Sequence, residues 1–145
     1  MPQANELPTG EQVRRFVERA VESFLRNELG LLEDDVHEQT ITSALAYHLR
    51  QQFGSKWDID CEYNREEGKT KRLGGRPVKP DIIVHRRNST TNILVIEGKK
   101  SKTLKSDDLD ELRKFKDAKG YPFAALICFQ TGRGLRSYLP TIEWV

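Results

Sequence analysis

The chain has 145 residues and a mass of 16.7 kDa, a length typical of one domain. Hydrophobic residues make up 37% of it and charged residues 32%, which indicates a folded core under a strongly charged surface. No segment approaches the roughly 20 apolar residues of a membrane span, and residues 1–10 lack the apolar stretch of a signal peptide. We therefore expect one domain over residues 9–145, after a loose tail over residues 1–8, that is neither secreted nor inserted in a membrane.

The cysteine content indicates a reducing compartment. Cys61 and Cys128 are the only two cysteines, and each lies in an apolar run far from the other. Isolated thiols of this kind are typical of buried, reduced cysteines rather than of a disulfide framework or a zinc site. The sequence therefore favours a cytoplasmic location.

Charge is distributed unevenly along the chain, although the net charge is only +2. Between Gly68 and Lys105, eleven lysines and arginines stand against two acids, whereas the rest of the chain has 13 basic and 20 acidic residues. A segment of this kind suits a polyanionic ligand, and the alternative is a solvated basic face without a partner. The two acids inside it, Asp81 and Glu97, decide between these interpretations.

Two helices are predicted in the first third of the chain. Thr9 and Gln12 have the spacing of a capping box, and apolar residues then recur at helical period until Gly30. A second helix is predicted from Asp35 to Phe53, with Gly54 as its end. Glu38 lies on the apolar side of this second helix, because it is three residues before Ile41.

Further elements alternate between strands and a helix. Residues 57–63 alternate apolar and polar side chains, which predicts a strand towards a sheet edge, and residues 65–76 predict a flexible loop or a long hairpin connection. Residues 81–85, 93–96 and 123–129 are apolar on consecutive positions, as in strands covered on both faces. A third helix begins at Ser106 and ends before Gly120, and residues 142–145 add a short edge strand. The order α-α-β-β-β-α-β predicts an α/β domain with a mixed central sheet flanked by helices.

Asp81 and Glu97 are predicted to face each other across the two central strands. In an antiparallel hairpin that turns through residues 88–90, paired residue numbers sum to 178, so Asp81 is opposite Glu97. Opposed Cβ atoms in such a pair are about 4.5–5.5 Å apart, and two like charges there need a cation to offset them. An even-length turn would move Asp81 to the other face unless a bulge restored the register. Lys99 projects to the same face as Glu97.

These residue types match the needs of metal-assisted phosphodiester hydrolysis. Asp81 and Glu97 offer hard oxygen ligands for Mg²⁺ or Mn²⁺. The ammonium of Lys99 could lie near the attacking water or the charge that develops on the phosphate. The carbonyl of Gly98 and the carboxylate of Glu38 could complete the ligand set. The alternatives are structural: Asp81 caps a strand, Glu97 pairs with Lys99 at the surface, and Glu38 caps its own helix. The three histidines lack ligand spacing and are predicted to pack or to lie at the surface; they are His37, His48 and His85.

Pro80-Asp81, fifteen intervening residues and Glu97-Gly98-Lys99 resemble the signature of the PD-(D/E)xK nuclease superfamily. The predicted elements from Asp35 to Phe129 are similar to the α-β-β-β-α-β core of its restriction-endonuclease-like fold, to which the first helix would be an addition. The resemblance implies that Asp81 and Glu97 bind Mg²⁺, that Lys99 positions the water, and that Glu38 matches the acid of the first core helix. The chain departs from the family at Gly98, where an apolar residue is common, and in lacking a glutamine motif on the helix after Lys99.

Basic residues stand on both sides of the signature. They are Lys69, Lys71, Arg72 and Arg76 before Asp81, and Lys100, Lys102 and Lys105 after Lys99. Such residues bind phosphate in a salt-dependent way with little base specificity, so we expect a nucleic-acid partner, with DNA favoured over RNA. A homodimer would provide two sites for the cleavage of two strands. Two further hypotheses remain open: a noncatalytic nucleic-acid-binding module on the same fold, and a structural or regulatory interaction protein.

Overall fold

Helices and strands alternate along a chain that the computed structural model describes over residues 6–63, 65–66, 69–70, 72–73, 76–77, 80–100 and 106–145. The side chains of residues 65–77 and of Ser106 are not among those described. In chain order the elements are α1 (Gly10–Glu33), α2 (Glu38–Phe53), β1 (Asp58–Cys61), β2 (Arg65–Glu66), β3 (Lys69–Thr70), β4 (Arg72–Leu73), β5 (Arg76–Pro77), β6 (Ile82–His85), β7 (Asn92–Lys100), α3 (Ser106–Lys119), β8 (Phe123–Phe129) and β9 (Thr141–Trp144). Residues 6–8 of the predicted tail belong to no helix or strand, and residues 1–5 lie outside this description.

Five strands form the central sheet in the order β1-β6-β7-β8-β9. β7 and β8 run parallel, and the other neighbouring strands run antiparallel, so the sheet is mixed as predicted. Every residue of β6 is buried, and so is nearly every residue of β8. The consecutive apolar positions of these strands follow from this, because both faces of the sheet are covered.

Helices cover both faces of the sheet, which confirms the predicted α/β arrangement. α1 and α2 pack on one face, where Val17, Phe24, Leu45 and Ile96 belong to the larger hydrophobic cluster. α3 packs on the other face; its Leu112 and Phe115 join Ile83, Val95, Leu126 and Cys128. Cys128 is buried, Cys61 is half-buried, and both thiols are free. None of the helices in the described ranges is long and apolar enough to cross a bilayer.

The predicted start of α1 is confirmed, but its predicted end is wrong. Gln12 N donates to Thr9 Oγ1 at 3.1 Å, and Thr9 N donates to Gln12 Oε1 at 2.8 Å, which is the capping box. The helix bends at Glu28 (φ −126°, ψ 19°) and continues past Gly30 to Glu33. It continues because Leu32 packs into the core with no exposed surface, and a glycine can remain helical when its neighbours are anchored.

α2 begins three residues later than predicted. Asp35 has φ +51°, a left-handed conformation that a helix interior excludes, so the helix starts at Glu38. Its end at Gly54 is confirmed, as is its apolar side: Ile41, Leu45, Leu49 and Phe53 are all buried.

β1 is the predicted edge strand, but it is shorter than the alternation over residues 57–63 indicated. Glu62 has φ +50°, which ends the strand and reverses the alternation. Trp57 and Cys61 therefore pack on the α1–α2 face, whereas Tyr63 packs on the α3 face. Between β1 and β6 the backbone forms two small antiparallel pairs, β2 with β3 and β4 with β5, in the segment for which a flexible loop or a long hairpin connection is predicted.

Candidate active site

The register of β6 and β7 is set by an even-length turn followed by a bulge. Arg86 N donates to Thr91 O at 3.0 Å and His85 pairs with Asn92, so the turn by itself gives residue numbers that sum to 177. The register then shifts between Val84 and His85, and Ile82 pairs with Ile96. The sum from there on is 178, and the next pair along the strands is Asp81 with Glu97. The predicted register is thus reached through a bulge rather than through an odd-length turn.

The two acids are in contact and are held by backbone amides. Asp81 N donates to Glu97 Oε1 at 3.2 Å, and Gly98 N donates to Asp81 Oδ2 at 2.8 Å. The two carboxyl groups lie within hydrogen-bonding range of each other. Burial and the charge of Asp81 raise the pKa of Glu97 to about 8, and burial also raises the pKa of Asp81. Such a pair binds a proton readily and is equally suited to a metal cation.

Gly98 permits close packing between α2 and β7. A Cβ atom at this position would lie 2.6 Å from Thr42 Cγ2, a distance that no real Cβ contact tolerates. Thr42 is buried and fixed on α2, where its Oγ1 donates to Gln39 O at 3.1 Å. The departure from an apolar residue at position 98 therefore has a steric reason: the helix comes too close to the strand for any side chain.

Glu38 faces the strands rather than its own helix end. The N-cap residue of α2 is His37, whose side chain makes no capping hydrogen bond, and Asp35 lies outside the helix. Glu38 Oε2 instead accepts a hydrogen bond from Lys100 N at 3.2 Å. The capping interpretation of Glu38 is therefore wrong, and its charge contributes to the raised pKa of Asp81, after the larger effect of burial.

Lys99 is paired with a residue that the sequence analysis did not select. In the described part of the chain, the single ion pair of its ammonium is with Asp108 of α3, at 3.7 Å between Nζ and Oδ1. Burial opposes the charged form of Lys99, but Asp108, Glu38 and the two central acids outweigh it and raise its pKa. Acids are common in the first turn of a helix, so nothing in the sequence distinguishes Asp108 from its neighbours. Its contact with Lys99 therefore could not be predicted from the sequence.

The basic residues are only partly located. Lys100 Nζ pairs with Asp35 Oδ1 at 3.1 Å beside the acids. Lys69, Arg72 and Arg76 lie on β3, β4 and β5, in the connection that leaves the sheet next to Asp81, where Glu62 N donates to Asp81 O at 3.1 Å. Their side chains are outside the described set, as are Lys71, Lys102 and Lys105 entirely. The predicted nucleic-acid surface therefore stays a prediction.

Two buried histidines take part in structural contacts. His85 Nε2 lies 2.7 Å from Asp60 Oδ2, and the same carboxylate accepts from Arg87 Nε at 2.9 Å. His48 Nδ1 lies 2.9 Å from Ser23 Oγ on α1. Both contacts tie neighbouring elements together at a distance from the paired acids.

Hard oxygen atoms make up the candidate metal ligands. Asp81 and Glu97 provide two carboxylates, the carbonyl of Gly98 lies between them in sequence, and Glu38 acts at longer range. Within the described residues, no group of three or more His, Cys, Asp or Glu side chains is close enough to hold a metal by itself. Two touching carboxylates still fit Mg²⁺, because this ion keeps several waters and commonly takes only one or two protein carboxylates.

Comparison with known proteins gives no relative of this chain. No family model, no curated protein and no solved structure matches it. Its function is therefore inferred from the sheet, the paired acids and the charges around them.

Proposed function

We propose that this protein is a metal-dependent nuclease of the PD-(D/E)xK superfamily that hydrolyses phosphodiester bonds, with DNA as its substrate. The observation that carries the proposal is the pair of half-buried, touching carboxyl groups of Asp81 and Glu97, with Lys99 two residues further along the same strand. The order α2-β1-β6-β7-α3-β8 supports a restriction-endonuclease-like core, to which α1 and β9 are additions.

Each side chain has a distinct task in this reaction. Asp81 and Glu97 would hold the cation, together with the carbonyl of Gly98 and with Glu38 at longer range. Bound there, Mg²⁺ or Mn²⁺ would supply polarisation of the scissile phosphate and a more acidic water molecule. The amides of Asp81 and Gly98 fix the two carboxylates, so the ligands are positioned before substrate binds. Lys99 would supply an ammonium for the attacking water and for the charge that develops on the phosphate.

The concentration of positive charge in one segment of the chain favours a polyanionic substrate. The segment from Gly68 to Lys105 concentrates eleven lysines and arginines around two acids, and a cation bound at those acids would remove their repulsion of a phosphate. Contacts of this type favour a polynucleotide backbone over any particular base sequence. A homodimer would bring two such sites to the two strands of a duplex.

Cleavage of a supercoiled plasmid tests the proposed activity. The wild-type protein should nick or linearise the plasmid in Mg²⁺ or Mn²⁺ and should leave it intact in EDTA. Asp81→Asn and Lys99→Met should each slow cleavage by about 100-fold or more, equivalent to about 2.7 kcal/mol of transition-state stabilisation. Circular dichroism and thermal unfolding would establish that both variants remain folded.

Asp107→Asn is the matched control, because Asp107 is an exposed acid on α3 next to the site. It should cleave at the wild-type rate. An intact plasmid with the wild-type protein in both metals would refute the nuclease proposal. Salt-dependent gel shifts of the same plasmid would then favour the noncatalytic binding module, and absence of binding would favour an interaction protein.

A further inference from the structure

Within the described residues, the ammonium of Lys99 pairs with an acid of α3 rather than with Asp81 or Glu97. Its Nζ lies 3.7 Å from Asp108 Oδ1, and this is its only ion pair within the described residues. Lys99 stands two residues after Glu97 on β7, so both side chains leave the strand on the same face. A lysine side chain with a four-carbon stem is flexible enough to choose between the two sets of acceptors.

An ammonium at the paired acids would compete with a metal ion. The carboxyl groups of Asp81 and Glu97 are half-buried and lie within hydrogen-bonding range of each other, and the amides of Asp81 and Gly98 each donate to one of them. A cation between them would relieve their repulsion, and Lys99 is a candidate because it lies two residues after Glu97 on the same strand. With its ammonium in that position, Lys99 would occupy the carboxyl oxygens that a divalent cation needs.

Asp108 is anchored where it can prevent this. It lies in the first turn of α3, which packs on the sheet through the buried Leu112 and Phe115. The anchoring holds the carboxylate beside Lys99, and the helix N-terminus favours its negative charge. Asp107, one residue earlier, is exposed and makes no such contact in the described structure.

We propose that Asp108 is a positioning residue that holds the Lys99 ammonium beside α3, which leaves the carboxyl oxygens of Asp81 and Glu97 available to a divalent cation. The role in cation binding rests on the proposed nuclease function. The position of Lys99 does not, because it can be measured in the metal-free protein.

The first test measures the reactivity of Lys99 in EDTA. The protein is treated with an amine-acetylating reagent, and labelling of Lys99 relative to the exposed Lys114 is followed by peptide mass spectrometry. In Asp108→Asn the Lys99 ammonium should move to the carboxyl oxygens of Asp81 and Glu97 and label about fivefold more slowly, in line with the loss of a partly exposed ion pair. Asp107→Asn should label as the wild type does. Unchanged or faster labelling of Lys99 in Asp108→Asn would overturn the proposal.

The second test measures Mn²⁺ binding by titration without nucleic acid. Asp108→Asn should weaken Mn²⁺ binding about fivefold, and adding Lys99→Met to that variant should restore it, because the competing ammonium is gone. A purely structural effect of Asp108 would leave the double variant as weak as the single one, and that result would overturn the proposal. Failure of the wild-type protein to bind Mn²⁺ would instead contradict the proposed metal-dependent function, and labelling in EDTA would still decide the position of Lys99.

Discussion

Gly98 shows how the absence of one side chain shapes the site. It lies between Glu97 and Lys99 in β7, and Thr42 of α2 occupies the space that a Cβ atom would need. The close approach of α2 to β7 at this point also brings Glu38 to the amide of Lys100. The glycine therefore determines how near the helix acid comes to the two strand acids.

Gly98→Ala should destabilise the protein by about 1–3 kcal/mol, the usual cost of forcing extra atoms into a packed core. Thr42→Ser removes the methyl group that would clash and keeps the hydroxyl that donates to Gln39 O. The Gly98→Ala/Thr42→Ser double variant should therefore recover most of the loss. Urea unfolding of the single and double variants measures this coupling. Gly30→Ala is the control, because a Cβ atom at this position meets nothing within 4 Å. This substitution should slightly stabilise α1.

Glu97 makes the stability of the metal-free protein depend on pH. Burial and the charge of Asp81 raise its pKa in the folded state from 4.5 to about 8, so between these values the folded protein binds more protons than the unfolded chain. The free energy of unfolding in EDTA should therefore fall as the pH rises through this window. Glu97→Gln should remove most of this dependence and should be more stable than the wild type at pH about 8. Equal pH slopes for both proteins would contradict the raised pKa of Glu97, and Glu143→Gln, at an exposed carboxyl on β9, is the control.

The hairpin of β6 and β7 decides, at the scale of elements, whether the acids meet. Its turn would place Asp81 on the face away from Glu97, and the bulge beside His85 reverses that outcome. One extra residue in β7 changes the facing of every residue beyond it, because side chains alternate with a period of two. Ile93, the extra residue, is fully buried, so core packing fixes the bulge in place.

The α1 capping box provides a second test at this scale. Thr9→Ala removes the acceptor for Gln12 N and should lower the free energy of unfolding by about 1 kcal/mol. Thr9→Ser keeps the hydroxyl and should stay within a few tenths of a kcal/mol of the wild type. Thermal unfolding of the two variants distinguishes them. An equally small effect of both substitutions would show that tertiary packing alone holds the start of the helix.

At the scale of the whole molecule, one continuous sheet separates two hydrophobic layers, and the paired acids stand where its central strands meet. The larger layer lies under α1 and α2, and the smaller lies under α3. Glu38 reaches the site from the first layer and Asp108 from the second. α2 and α3 therefore both place a charged side chain near Asp81 and Glu97, although neither helix carries these two acids.

The uneven charge predicts that binding depends on the basic segment rather than on the total charge. Replacing Lys69, Arg72 and Arg76 together by Ala should weaken binding of duplex DNA in EDTA and reduce the salt dependence of the affinity. Wild-type binding should fall about tenfold or more between about 50 and about 200 mM salt. The matched control removes three exposed charges elsewhere, with Arg19, Arg26 and Lys114 changed to Ala. Equal losses in both triple variants, measured by fluorescence anisotropy, would show that the segment has no special role.

Much of the fold follows from local sequence signals. The capping box at Thr9, the end of α2 at Gly54 and the limits of β8 were all predicted, because caps, glycines and runs of apolar residues act over a few positions. The predicted end of α1 and the predicted start of α2 were wrong for a physical reason. Burial of Leu32 and the left-handed backbone of Asp35 depend on packing between distant parts of the chain.

The site likewise depends partly on local sequence and partly on packing between distant parts of the chain. The residue types of Asp81, Glu97 and Lys99, and the positive charge around them, are fixed by the amino-acid sequence alone. Only the tertiary structure decides that a bulge aligns the two acids and that Lys99 contacts Asp108. It also decides that Thr42 packs where a side chain at position 98 would lie. These contacts join residues on separate elements, and their distances depend on how helices pack on a sheet, which short-range sequence patterns do not encode.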